Sequence, residues 1–118
     1  MKENVLNDKS LDFAVRVVRL QKHLVNNQRE TVISKQIMRS GTSIGANINE
    51  ANYAQSKADF ISKLHVSLKE TAETEYWLKL LVKSELLTEQ EGSSLINDCL
   101  EIKKLLIASI NTAKNNHL

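Results

Sequence analysis

Residues 31–51 read Thr31-Val32-Ile33-Ser34-Lys35-Gln36-Ile37-Met38-Arg39-Ser40-Gly41-Thr42-Ser43-Ile44-Gly45-Ala46-Asn47-Ile48-Asn49-Glu50-Ala51. Ile33, Ile37, Gly41, Ile44, Ile48 and Ala51 recur every third or fourth residue, which is one face of a helix. The stretch up to Gln55 is polar but unbroken, so the spacing predicts a helix over about 31–55. Two glycines inside a helix cost about 2 kcal/mol in propensity. Close approach of another helix along the run Ser40-Gly41-Thr42-Ser43-Ile44-Gly45-Ala46 is the simplest compensation, by the packing logic of small residues spaced four apart. The same residues match the Gly-x-Ser-x-Gly pattern of a hydrolase nucleophile. That motif needs a strand, a strained turn and a helix, and here it lies within one helical period. No catalytic role is therefore expected of Ser43.

Outward from this segment the periodicity repeats. A first helix is expected over about 8–27, with Leu11, Val15, Val18, Leu20 and Leu24 in helical spacing and a polar break at Asn26-Asn27-Gln28. Asparagine tolerates the left-handed conformation that ends helices. A third helix is expected over about 57–83, with Phe60, Ile61, Leu64, Leu68, Leu78, Leu81 and Val82; Ser56 and Asp59 start it in a capping arrangement. The fourth, about 89–111, opens on the capping box Thr88-Glu89-Gln90-Glu91. Its core stripe is Leu95, Cys99, Ile102, Leu106 and Ile110, with Ile96, Leu100 and Ile107 in a neighbouring stripe. Gly92 in its first turn has no evident reason. No segment alternates with period two, so the expected class is all-α: a single domain, 1–118, forming an up-down-up-down antiparallel four-helix bundle. Helices 1 and 3 are apolar over more than a lone bundle needs, which reads either as a thick core with a few exposed apolar residues or as a second buried face, hence a homo-oligomer.

Composition agrees. The 118 residues include no proline, three glycines and one cysteine. Long helices exclude interior proline. One cysteine excludes a disulfide framework and a cysteine-based zinc site. Apolar runs are too short to cross a membrane as a helix, and Met1–Asn7 shows no secretory signal, so a cytoplasmic location is expected. Net charge is +2, but residues 1–84 carry thirteen Lys/Arg against nine Asp/Glu, and residues 85–118 three against five. Basic character belongs to the first three helices. Arg16, Arg19 and Lys22 on helix 1, with Lys35 and Arg39 on helix 2, form a stripe that reads either as a solvated face or as phosphate contacts. Aromatic scarcity argues against base-stacking platforms.

No metal or other cofactor is expected. The Glu-x-x-His pairs of di-metal bundles are absent: Leu20, Ser62 and Lys114 stand three residues before His23, His65 and His117. Glu70, Glu73 and Glu75 cluster, with Lys69 and Lys79 at i,i+4 spacing to two of them, as on a salt-bridged face. Hairpin geometry, centred near residues 28, 57 and 86, sets Gly41 opposite Arg16, Arg39 opposite Glu75 with Glu73 nearby, Asn49 near His65, and Glu70 opposite Lys103. Arg39 and Glu75 are thus the expected structural ion pair.

Three blocks carry a resemblance: Ser34-Lys35-Gln36-Ile37-Met38-Arg39-Ser40-Gly41-Thr42-Ser43-Ile44-Gly45-Ala46-Asn47-Ile48; Ala54-Gln55-Ser56-Lys57-Ala58-Asp59-Phe60-Ile61-Ser62-Lys63-Leu64; and Leu68-Lys69-Glu70-Thr71-Ala72-Glu73-Thr74-Glu75-Tyr76-Trp77-Leu78. Over about 8–110 the chain resembles the bacterial four-helix bundle proteins named for the protein encoded in 23S rRNA intervening sequences. It is also similar to the accessory protein of diversity-generating retroelements. The resemblance implies a homopentameric ring, no enzymatic activity, and nucleic acid (RNA or DNA) or another protein as partner. Under it, Arg16, Arg19, Lys22, Lys35 and Arg39 are candidate phosphate contacts. Ser40, Gly41, Ser43, Gly45, Asn47, His65, Tyr76 and Trp77 are candidates for helix packing or the oligomer interface. The alternative is a protein scaffold or adaptor with no nucleic-acid role.

Overall fold

A computed structural model describes residues 2–115, with side chains from Val5 onward. Four helices follow one another: α1 (Lys2–Gln28), α2 (Ile33–Ala51), α3 (Lys57–Lys83) and α4 (Glu89–Asn115). Each packs on its neighbour in sequence, and α4 packs on α1. The four lie lengthwise in a body of 51 × 22 × 20 Å, and no strand occurs among the described residues.

Three boundaries differ from the periodicity by more than two residues. α1 begins earlier than residue 8 because Leu6 and Ser10 extend its buried face in front of Phe13 and Val17. α2 stops at Ala51, short of Gln55, because Ala51 is the last residue of its buried face and Asn52, Tyr53 and Gln55 are exposed. α4 also runs past residue 111, to Asn115.

The ends are set locally. Ser56 accepts from the Asp59 N–H at 3.0 Å and starts α3. Thr88 Oγ1 accepts from the Glu91 N–H at 3.1 Å, and Glu91 reaches back to the Thr88 N–H at 3.2 Å, as the capping box requires. α2 is capped by neither Thr31 nor Val32. The Glu30 carboxylate accepts from the N–H groups of Val32, Ile33 and Ser34 at 3.0, 2.8 and 2.7 Å. α1 ends not on an asparagine but on Arg29, at φ 58°, with Glu30 N–H donating to Leu24 O at 2.9 Å. α3 ends on Glu85, at φ 66°; Leu86 N–H bonds Leu81 O at 2.9 Å and Glu85 N–H bonds Val82 O at 3.0 Å, the Schellman pattern.

The core takes Phe13, Val17 and Leu24 from α1, Ile37, Ile44 and Ile48 from α2, Leu64, Leu78 and Leu81 from α3, and Cys99, Ile102 and Leu106 from α4. On α1 the expected stripe is turned: its buried face steps through Leu6, Ser10, Phe13, Val17, Leu20 and Leu24, which leaves Leu11 and Val15 exposed. Small residues bring the first three helices together. A Cβ on Gly41 would lie 2.8 Å from Val17 Cγ2, and one on Gly45 would lie 3.2 Å from Ser10 Oγ. The two glycines thus receive α1 of the same chain. Between α2 and α3 the seam is hydroxylic and buried. Thr74 Oγ1 donates at 2.9 Å to Ser40 Oγ, and Ser67 Oγ donates at 2.8 Å to Ile44 O. Gly92 also has a reason: its missing Cβ makes room for Val82, whose Cγ2 would lie 2.1 Å away. The α1–α4 seam is bridged instead by long side chains, Lys9 to Glu101 at 3.0 Å and Arg16 to Asp98 at 2.6 Å.

Candidate nucleic-acid interface

The five basic candidates divide by their partners. Arg16 turns toward α4, where it donates to Asp98 and, at 3.1 Å, to Ser94 Oγ. It therefore does not face Gly41, whose neighbour is Val17. Arg39 donates to Glu70 at 3.3 Å and to Glu73. The hydrogen bond it donates to Glu73 holds the Arg39 guanidinium above its ordinary pKa, with the charge of both glutamates adding to it. Glu73 also accepts from Trp77 Nε1 at 2.9 Å, and that bond, followed by Arg39, lowers its carboxyl below the usual range. Both arginines are committed to carboxylates.

The expected Arg39–Glu75 pair does not form; Glu75 takes Lys79 at 2.9 Å. The axial register of the α2–α3 hairpin is right, since Ser40 meets Thr74. The azimuth is wrong. Glu73 and Glu75 are two residues apart, about 200° around the helix, so one faces α2 and the other turns away toward α4. The same reason separates Glu70 from Lys103: Glu70 faces α2 and pairs with Arg39. The expected i,i+4 pair of Lys69 with Glu73 gives way to Arg39 and Trp77.

Arg19, Lys22 and Lys35 remain. All three are exposed and make no ion pair among the described residues. Lys35 lies on the rim of an open groove of about 490 Å³ between α1 and α2, lined by Gln21, Val25, Met38 and Thr42. Thr42 also borders a second hollow of about 320 Å³ with Leu11, Ala14, Gly45 and Ala46. An apolar trough therefore runs along the outside of the α1–α2 seam. Arg19 borders a cleft of about 240 Å³ on the other flank of α1, with His23, Glu91 and Leu95.

The packing candidates also divide. Ser40, Gly41 and Gly45 lie in contacts within the chain. Ser43 Oγ and Asn47 Nδ2 bond their own helix, to Arg39 O at 2.7 Å and Ser43 O at 2.8 Å. His65 and Tyr76 are exposed; Tyr76 meets half-buried Trp77 edge to face, with ring centroids 5.1 Å apart. Burial pushes the Cys99 thiol up to about 12. Sequence reasoning passed over Lys69 and Lys104, exposed and without an ion pair among the described residues. The acidic balance of residues 85–118 hid Lys104, and a presumed partner hid Lys69. His117 lies outside the described residues. No helix among them is long and apolar enough to cross a membrane.

A crystal structure of a protein of unknown function from the S23 ribosomal protein family of Bacteroides thetaiotaomicron VPI-5482 superposes with a TM-score of 0.93. It is 62% identical, and the match covers 94% of this chain and 99% of that one. A search among curated proteins finds no match. The family model described as 23S rRNA-intervening sequence protein matches residues 2–108. With nearly the whole bundle inside that match, the chain belongs to the 23S rRNA-intervening sequence protein family.

Proposed function

We propose that the chain is a non-catalytic, cytoplasmic building block that assembles with copies of itself and binds nucleic acid through phosphate contacts. The observation that carries this reading is that Arg19, Lys22 and Lys35 stay exposed and unpaired among the described residues, while Arg16 and Arg39 are held by carboxylates. Assembly into a ring, the pentamer of the family resemblance, repeats the three cations around one body. Their summed field then attracts a polyanion that a single copy with a net charge of +2 would hold weakly.

A salt titration of RNA binding tests it. Three phosphate contacts per copy give a slope of log K against log salt of about −2 for a single strand. Replacing Arg19, Lys22 or Lys35 by glutamine removes about 0.7 of that slope each. No binding at low salt, or binding with no salt slope, overturns the reading. A second reading, a scaffold for another protein, is favoured by the apolar trough outside α1 and α2. A protein partner retained through nuclease treatment, with RNA binding absent, would support it instead.

A further inference from the structure

We propose that the outer face of α1 docks against the outer face of α4 in a second copy of the chain, antiparallel and level with it. The proposal rests on the self-assembly reading above and names the surfaces that carry it. On α1 the exposed face runs from Asp8 and Asp12 through Leu11 and Val15 to Arg19 and Lys22. From N- to C-terminus it is acidic, apolar, then basic. On α4 the exposed face runs from Glu89 through Leu100 to Lys104, in the same order of character. Two such faces laid parallel set like charge against like. Laid antiparallel, they set opposite charges together at both ends, with apolar residues between.

Neither face is satisfied within the chain. Asp8, Asp12, Lys22, Glu89 and Lys104 make no ion pair among the described residues. Leu11 is 65% exposed and Val15 42%, while Leu100 is 41% exposed. Large apolar side chains left open beside unpaired charge are the composition of a docking surface.

The register supplies an independent constraint. Within one chain α1 and α4 are already antiparallel, and the bonds of Arg16 to Ser94 and Asp98, and of Lys9 to Glu101, fix which residues stand at one height. On that scale Asp8 is level with Lys104, Leu11 with Leu100, and Lys22 with Glu89. The pairs that charge and polarity select are those that two copies side by side, without a shift along the helices, bring together. A contact between two different faces with no axial shift repeats around an axis parallel to the helices. It closes on itself instead of climbing into a filament.

Light scattering on the full chain at micromolar concentration and low salt tests the docking, with two kinds of variant. Asp8→Lys and Lys104→Asp each weaken assembly about tenfold, and the two together restore it to within about twofold. Leu11→Cys with Leu100→Cys in one chain gives, on mild oxidation, a ladder of covalent multimers that neither single change gives. A wild-type chain that is monomeric removes both this docking and the assembly it rests on. A multimer indifferent to both charge reversals and yielding no ladder leaves the assembly standing and overturns the α1–α4 docking.

Discussion

Gly41 and Val17 touch across the α1–α2 seam so closely that a Cβ on the glycine would lie 2.8 and 2.9 Å from the two valine methyls. Rotating the valine relieves one clash and keeps the other, and Val17 is fully buried. Gly41→Ala therefore loses about 1–2 kcal/mol, overpacking outweighing about 1 kcal/mol of helix propensity. At Gly45 the nearest atoms are Ser10 Oγ and Cβ, at 3.2 and 3.4 Å. There the propensity gain and the tighter contact offset, and Gly45→Ala changes stability by less than about 0.5 kcal/mol. Urea unfolding of the two variants checks the contrast.

Gly92 makes the same kind of contact with a partner that can be removed. Gly92→Ala drives a methyl into Val82 and destabilises by about 1–2 kcal/mol. Adding Val82→Ala, at a half-buried position, returns part of that loss. A double-mutant cycle with a favourable coupling of about 0.5 kcal/mol or more is the expected result; strict additivity would contradict the contact.

Acid should loosen the helix starts. Partial burial of Glu30 raises its pKa, but the N–H groups of Ile33, Ser34 and Val32 outweigh that and lower it below 4.5. Hydrogen bonds from Thr88 lower Glu91 in the same direction. A carboxyl with a lowered folded-state pKa stabilises the fold above its unfolded value, and that contribution is lost as pH falls through the folded value. Stability should thus hold from neutrality to about pH 4.5 and decline below it. Glu30→Ala loses about 1 kcal/mol at neutral pH and flattens the acid limb. Chemical denaturation across pH 2.5–7 (roughly the window set by the ordinary carboxylate range) reads both effects.

Cys99 should be silent in the folded protein. Its thiol is fully buried and its pKa is pushed up to about 12 by burial, with Glu75 and Asp98 adding to it. The thiolate is the reactive form, so a thiol reagent at pH 8 should label Cys99 only as fast as the chain unfolds. Labelling that is rapid in buffer and unchanged by denaturant would contradict this.

What could be read from the sequence was what is decided over three or four residues. Ser56 with Asp59, and Thr88 with Glu91, cap the expected helices because both partners lie within one turn. Cys99 falls on its stripe for the same reason. Glu30 was missed as a cap because its longer side chain reaches Val32, Ile33 and Ser34 from outside the usual cap positions. Arg29 and Glu85 were missed as left-handed residues because neither is the glycine or asparagine that announces one. The candidate site suffered from a different gap. Spacing gives height along a helix far better than direction around it, so Glu73 was legible as a neighbour of Arg39 but Glu75 was taken as its partner, and the Asp98 partner of Arg16 was not legible.

The chain from Arg39 through Glu73 to Trp77 gives the bundle an optical gauge. Trp77 is the sole tryptophan, and its indole N–H bonds a carboxylate that also holds α2. Parting of α2 from α3 removes that bond and changes the polarity around the ring, so the emission colour of unlabelled protein follows one seam of the fold.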